Sequence, residues 1–152
     1  MTISEINSAK MGHKFGRLSS NATTTGQVLV DSGLSFAINA NEICEFEFTL
    51  RIGSTGTAGL KLALTFPSGA TLTATTIGNS NTVTGLIADL ITASATAGAT
   101  LLTLATQNGV ARVRGCIANG ANAGDVKLQF LKVTSGTATI TANSFVSARR
   151  IG

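Results

Sequence analysis

Residues 43–52, with the sequence ICEFEFTLRI, decide the fold of this chain. Apolar and polar side chains alternate along this stretch, and a β-strand places successive side chains on opposite faces. One face carries Cys44, Phe46, Phe48, Leu50 and Ile52, and the other carries Glu45, Glu47, Thr49 and Arg51. The pattern predicts an antiparallel strand with its apolar face in a core and its polar face at a surface.

Short alternating segments of the same kind, separated by Gly, Asn and Ser, continue to the end of the sequence. We count about nine or ten of them, with no amphipathic helix between them. The predicted strands are residues 27–31, 34–38, 42–52, 59–66, 71–77, 100–107, 110–117, 126–130, 137–141 and 145–151. The first two are joined through Ser32-Gly33, and Asn108-Gly109 predicts a hairpin turn. We therefore predict an all-β, antiparallel β-sandwich of jelly-roll type.

Residues 82–96 fit the strand pattern least well. The spacing of Leu86, Leu90 and Ile91 would suit one turn of helix, but the Thr, Ser and Gly around them lower helix propensity. The longer stretch of residues 85–105 has the length of a membrane span, yet Asp89 and the repeated Thr and Gly make it a poor one. We interpret it as a loop followed by a strand, and we predict no contact with a membrane.

The composition predicts one domain with a weakly charged surface. Of the 152 residues, 43% are hydrophobic and only 12% are charged, about half the usual charged share. Such a surface has little electrostatic protection against association, so copies of the chain or a partner are expected to cover it. The net charge of +4 comes from basic residues that are scattered along the sequence, and there is no Trp or Tyr to stack on bases. We therefore predict no nucleic-acid binding.

Residues 1–25 differ from the rest of the chain. They mix Ser, Asn, Thr and Lys, and their apolar residues follow no strand alternation. We predict an N-terminal arm over residues 1–25 and a β-sandwich domain over residues 26–152. The first residues, MTISEIN, have neither a basic nor an apolar region, so no signal peptide is predicted.

Few side chains are suited to catalysis or metal binding. His13 is the sole histidine, and its place in the predicted arm favours a solvated or interfacial role over that of a catalytic base. Glu45 and Glu47 share a strand face, as paired glycosidase carboxylates can, but solvated glutamates paired with Arg51, Arg112 or Arg114 are the favoured interpretation. We predict no catalytic residue, no metal site and no cofactor.

The two cysteines, Cys44 and Cys116, lie in different predicted strands. Neither has the spacing of a metal motif. Burial as free thiols is favoured over a disulfide, because a buried cysteine behaves as a small apolar residue.

Five segments together carry a resemblance to a known group of proteins. They are residues 31–36 (DSGLSF), 44–50 (CEFEFTL), 62–70 (LALTFPSGA), 117–130 (IANGANAGDVKLQF) and 147–152 (SARRIG). They resemble small β-sandwich structural proteins of tailed bacteriophages, such as head decoration proteins and tail or fibre components. The resemblance covers about residues 26–152 and consists of ordered strand and turn patterns without a reactive motif.

This resemblance implies a virion protein, assembled in the host cytoplasm, that binds other virion subunits and often forms trimers. The leading hypothesis is a capsid decoration (cement) protein, without enzymatic activity, that binds the assembled shell and stabilises it. The arm would lie across the major capsid protein and contact it through a set of basic and apolar side chains. That set is Ile3, Ile6, Lys10, Lys14, Phe15, Arg17 and Leu18.

Two alternatives remain. A tail or fibre module that recognises a host receptor or glycan is the second hypothesis, although the absence of Trp and Tyr removes the usual platforms for sugar stacking. A sandwich-fold glycosidase or lyase that uses Glu45 and Glu47 is the third.

Overall fold

Eleven antiparallel β-strands form the structure, a computed structural model that describes residues 12–79, 86–102 and 107–152. These ranges contain no helix, and the prediction of an all-β fold is confirmed. The strands are β1 (His13–Arg17), β2 (Ala22–Thr24), β3 (Val30–Ile38), β4 (Ile43–Thr55), β5 (Leu60–Thr65), β6 (Thr71–Asn79), β7 (Leu86–Ile91), β8 (Gln107–Ala118), β9 (Gly124–Lys132), β10 (Thr137–Ile140) and β11 (Phe145–Arg150).

The strands form two sheets that enclose one core. The large sheet has eight strands in the order β1-β11-β4-β8-β6-β7, and β10 continues it by pairing with both β4 and β2. The small sheet has the order β3-β9-β5. Each sheet turns an apolar face inward, as the alternating sequence predicts. The side chains buried between them include Leu34, Ile38, Leu50, Leu62, Leu64, Val113, Ile117, Val126, Leu128 and Val146.

Strand β4 lies at the centre of the large sheet. It pairs with β8 from Ile43 to Ser54 on one side, and with β11 and then β10 on the other. Phe48 is fully buried and lies opposite Val113 of β8 and Val146 of β11. Its ring centroid is 5.8 Å from that of Phe46 and 6.2 Å from that of Phe36 on β3. This aromatic cluster joins the two sheets, and it confirms the core face predicted for residues 43–52.

The outer edge of β5 is covered by an irregular segment, residues 95–101. The amide of Ala95 donates to the carbonyl of Leu64 at 2.8 Å, and the amide of Gly98 donates to that of Leu62 at 2.9 Å. Leu101 forms an isolated β-bridge with Leu60. These bonds satisfy backbone groups that an edge strand would otherwise expose.

The interpretation of residues 85–105 as a loop followed by a strand is wrong for the described part of that stretch. Strand β7 comes first and pairs with β6, and the irregular segment along β5 follows it. Pairing with a neighbouring strand outweighs the weak helical spacing of Leu86, Leu90 and Ile91. Residues 82–85 and 103–106, which belong to the same predictions, lie outside the described residues.

Two predicted turns lie inside strands. Ser32-Gly33 is a bulge within β3, where the register with β9 shifts between Asp31 and Ser35 and Gly33 has a φ of 86°. Glycine adopts this left-handed conformation readily, so it permits a bulge as well as a turn. Asn108-Gly109 lies within β8, where Gly109 pairs with Ile52. The length of β4 keeps β8 extended through a dipeptide that usually forms a hairpin turn.

Strand pairing begins well before residue 26, so the predicted boundary between arm and sandwich is wrong. Strand β1 pairs with β11, and β2 pairs with β10. The sequence hides β1 because its inward positions hold Lys14 and Gly16, which form no apolar stripe. Residues 1–11 of the predicted arm lie outside the described residues.

A buried ion pair ties β1 to the turn between β3 and β4. Lys14 Nζ lies 2.7 Å from Glu42 Oε2, and the side chain of Glu42 is only 4% exposed. The amide of Asn39 donates to the same oxygen at 2.7 Å. Burial alone would raise the pKa of Glu42, but the bonds from Asn39 and Lys14 outweigh it and lower that pKa overall. The carboxylate is therefore held in its ionised form.

The two cysteines are free thiols with different surroundings. Cys44 is buried, as predicted, and burial raises the pKa of its thiol. Its sulfur lies beside the ammonium group of Lys14. Cys116 is exposed, so the prediction that both are buried is wrong for this residue. Its position in β8 opposite Glu45 places it on the polar face of the sheet.

We expect Phe48→Ala to lower the free energy of unfolding by about 3–5 kcal/mol, because it opens a cavity where the two sheets meet. Chemical denaturation followed by circular dichroism measures this change. Phe15→Ala is the control, since Phe15 is 69% exposed, and it should cost less than about 1 kcal/mol. Equal losses for the two variants would contradict the assigned core.

We expect Glu42→Gln to lower the free energy of unfolding by about 1–3 kcal/mol at neutral pH, because it removes a buried charged hydrogen-bond acceptor. Folding lowers the pKa of Glu42, so this stabilisation is present above the unfolded pKa of about 4.3 and is lost as pH falls through the folded value. The gap between wild type and variant should therefore close in acid.

Denaturation curves at several pH values between neutral and acid test this prediction. Asp125→Asn, which changes an exposed carboxylate on β9, is the control and should change stability by less than about 0.5 kcal/mol. A gap between wild type and Glu42→Gln that stays constant down to acid would show that the ion pair is not its source.

Candidate interaction surface

The polar side of the large sheet, which faces away from the small sheet, is the candidate site; we call it the outer face. Strands β1, β11, β4, β8, β6 and β7 each contribute alternate side chains to it. Five of these side chains are arginines, and they come from four strands. They are Arg17, Arg51, Arg112, Arg114 and Arg149.

The outer face has fewer acidic than basic groups. Its carboxylates are those of Glu45 and Glu47, and no lysine or aspartate from the described ranges lies on it. The sequence shows these arginines as scattered, but the register of β1, β11, β4 and β8 gathers them on one side. Sequence reasoning missed this grouping because strand order cannot be inferred from alternation alone.

Both glutamates are engaged by arginines. Arg149 Nη2 lies 2.8 Å from Glu45 Oε1, and Arg112 Nε lies 3.8 Å from Glu47 Oε1. The hydroxyl of Thr49 also donates to Glu47, at 3.0 Å. The prediction that Arg112 could pair with one of these glutamates agrees with this geometry. Arg149 was missed, because its pairing depends on the register between β11 and β4.

The other arginines have no carboxylate partner in the described part of the chain. Arg17 donates to the side-chain amide of Asn143 at 3.1 Å. No carboxylate of a described residue lies within ion-pair distance of Arg51 or Arg114. The pairing predicted for Arg51 and Arg114 is thus not found. The two glutamates leave an excess of three positive charges on the outer face.

An open depression of about 1040 Å³ lies in this face. Its lining includes His13, Glu45, Glu47, Arg114 and Cys116. His13 thus lies on a paired strand and not in an unpaired arm: β1 pairs with β11 and places it opposite Arg149. Across the described ranges, no group of three histidine, cysteine or acidic side chains has the spacing to hold a metal ion. The lining offers ion pairs and hydrogen bonds to a ligand.

Of the side chains predicted to contact a partner, two lie on the outer face. Phe15 and Arg17 point outward from β1, and the Phe15 ring stacks on that of Phe145 with centroids 5.8 Å apart. Both remain available to a partner. Ile3, Ile6 and Lys10 lie outside the described residues.

The remaining two predicted contact residues point into the fold. Lys14 forms the buried ion pair with Glu42. Leu18 belongs to the core, and its amide donates to the carbonyl of Ser144 at 2.9 Å. The alternation of β1 separates these inward residues from Phe15 and Arg17, which the sequence reading had placed in one group.

Apolar side chains extend the outer face toward β7. Leu86 is 75% exposed and Leu90 is 61% exposed on that strand, and Ile77 of β6 lies opposite Ala88. Exposed apolar side chains clustered on one face are typical of binding surfaces.

No helix with the length and apolarity to cross a membrane occurs in the described parts of the chain.

Comparisons with known proteins give no family. No protein-family model matches this chain, and no curated protein matches it. Among solved structures, it is similar to Eiger TNF from S. frugiperda, with 7% identity, a TM-score of 0.39, and coverage of 92% of this chain and 90% of that one.

Two further similar structures are those of infectious bursal disease virus. The Gx strain gives 12% identity and a TM-score of 0.23, covering 91% of this chain and 35% of that one. The Gt strain gives 14% identity and a TM-score of 0.25, covering 92% and 38%. This chain thus spans little more than a third of the viral chains. Similarities of this size support no argument about function, which has to come from the outer face itself.

Proposed function

We propose that this protein is a non-enzymatic structural subunit of a virus particle, a decoration (cement) protein that binds the assembled capsid shell and stabilises it. The observation that carries the proposal is the outer face, where exposed arginines and apolar side chains lie together on a rigid sheet. Arginine and aromatic side chains are enriched at protein interfaces, and lysine is depleted. The resemblance of residues 26–152 to structural proteins of tailed bacteriophages is the reason that we propose a phage particle.

The rest of the molecule suits this role. A decoration protein needs a rigid body and a contact surface, and it needs no nucleophile or cofactor. The two-layer core supplies the rigid body, and a charged fraction of only 12% lowers the electrostatic barrier to packing against neighbours. In this proposal the partner is the major capsid protein, the location is the virion, and the protein acts as a homo-oligomer, with a trimer expected.

Stabilisation would follow from mass action. A ligand that binds only the assembled shell shifts the equilibrium toward that shell, by an amount that grows with the ratio of its free concentration to its Kd. Many copies bind one particle, and each contributes to the stability of the shell. Within an oligomer, binding of one subunit raises the effective concentration of the others at neighbouring sites, which tightens binding overall.

The N-terminal residues have a defined point of attachment in this proposal. The carbonyl of Gly12 accepts a hydrogen bond from the amide of Arg150 at 3.3 Å, at the edge of the large sheet. The described chain therefore begins at the edge of the sheet, with Gly12 beside the outer face. We propose that Ile3, Ile6 and Lys10 contact the capsid together with Phe15 and Arg17.

Deletion of residues 1–11 tests this arrangement, because it leaves β1 and the Lys14–Glu42 pair in place. We expect the truncated protein to bind shells at least about tenfold more weakly, which corresponds to about 1.4 kcal/mol. The measurement is co-sedimentation with shells of the encoding virus prepared without this protein. Full-length protein should also raise the temperature at which the shells disrupt.

Other results would favour the alternatives. Full-length protein that neither sediments with shells nor stabilises them would refute the decoration role. Specific binding on a glycan array would then favour a tail or fibre module. Glycan turnover that is abolished by Glu45→Gln or Glu47→Gln would favour an enzyme.

A further inference from the structure

The positive charge of the described residues is concentrated on one side of the sandwich. The five arginines of the outer face exceed its two glutamates, whereas Lys61, Lys127 and Lys132 lie on strands of the small sheet. On the small sheet, Lys127 Nζ lies 3.7 Å from Asp31 Oδ2, so the negative charge of Asp31 offsets the positive charge of Lys127. The molecule therefore presents an electropositive face and a more nearly neutral one.

Three of the arginines form a continuous patch. Arg112 and Arg114 are two residues apart on β8, so their Cα atoms are about 7 Å apart on the same face. Arg51 of β4 pairs with Val110, two residues before Arg112. Arg51 and Arg114 have no carboxylate partner among the described residues, and Arg112 has only the 3.8 Å contact with Glu47. A partner that supplies carboxylates here would form ion pairs with guanidinium groups that have no close carboxylate among the described residues.

The surroundings of the patch favour a protein partner over a nucleic acid. The exposed side chains of Leu86 and Leu90 are apolar and do not bind phosphates, but they can pack against apolar side chains of a protein. The cations are arginines, whose planar guanidinium groups bind carboxylates and phosphates alike in a bidentate manner, so the apolar side chains decide between the two classes of partner.

We propose that the outer face binds an acidic surface of another protein through Arg51, Arg112 and Arg114, with the apolar side chains of β6 and β7 packing beside them. The guanidinium groups donate hydrogen bonds to carboxylates of the partner. That the partner is a capsid shell rests on the proposed function. The acidic character of the partner rests on the charge of this face alone.

The test uses poly-L-glutamate as the probe, with binding followed by fluorescence anisotropy at low salt. We expect Arg51→Gln/Arg114→Gln to weaken binding by about tenfold, because neither side chain has an ion pair with a carboxylate of the described residues and both are exposed. Binding by the wild type should fall as NaCl is raised, since salt screens exposed charges.

The matched control is Lys61→Gln/Lys132→Gln, which removes the same amount of charge from the small sheet. It should change binding by less than about twofold. Equal weakening by the two double variants would overturn the proposal, because net charge alone would then explain the binding. No binding of poly-L-glutamate by the wild type would also overturn it.

A second probe, a short DNA duplex, separates the two classes of acidic partner. Tighter binding of the duplex than of poly-L-glutamate, weakened by the same arginine variant, would assign the face to nucleic acid and reject the proposal. The assays do not use capsids. A protein that passes them but fails to sediment with shells retains the acidic-partner site and loses the decoration role. A protein that coats shells but binds no poly-L-glutamate keeps the decoration role and loses the acidic-partner site.

Discussion

The packing of β4 between its neighbours is the constraint on which the rest of the structure depends. This strand pairs with β8 on one side and with β11 and β10 on the other, so it directly positions three of the other seven strands of the large sheet. Its inward side chains include the fully buried Phe48 and Leu50, and burial of each such side chain contributes about 1.5–3 kcal/mol relative to exposure. Its outward side chains are fixed by the same register. The orientation of Glu45, Glu47 and Arg51 therefore follows from the packing of the core.

This coupling explains how the candidate interaction surface arises. Inward packing requires only every second residue of a strand, and the remaining positions are open to selection for another purpose. On β8 these positions hold Arg112, Arg114 and Cys116, and on β6 they hold Thr73, Thr75 and Ile77. The sheet holds each side chain at a fixed spacing. A binding surface formed in this way loses little conformational entropy of the backbone when a partner docks, which favours affinity.

Local pattern was sufficient to predict some features of this molecule and insufficient for others. Alternation revealed β4, β5, β9 and β11, because one face of each strand is apolar and the other polar. It failed for β1, where Lys14 faces inward and is stabilised by Glu42, a partner 28 residues away. It failed at Asn108-Gly109 because the length of β4 determines the local conformation of β8. The outer face was missed for a related reason: Arg17, Arg51 and Arg114 lie on one face of the same sheet only through the order of the strands.

The pairing of β1 with β11 has a consequence for synthesis of the protein. His13 lies opposite Arg149, so one edge of the large sheet combines the first and the last of the eleven strands to be translated. Until β11 leaves the ribosome, β1 has no strand to pair with and β4 lacks one of its neighbours. Sheet pairing between segments so distant in sequence is slow. During this interval the apolar face of β4 is open to contact with other nascent chains, and its alternating glutamates reduce the tendency to aggregate.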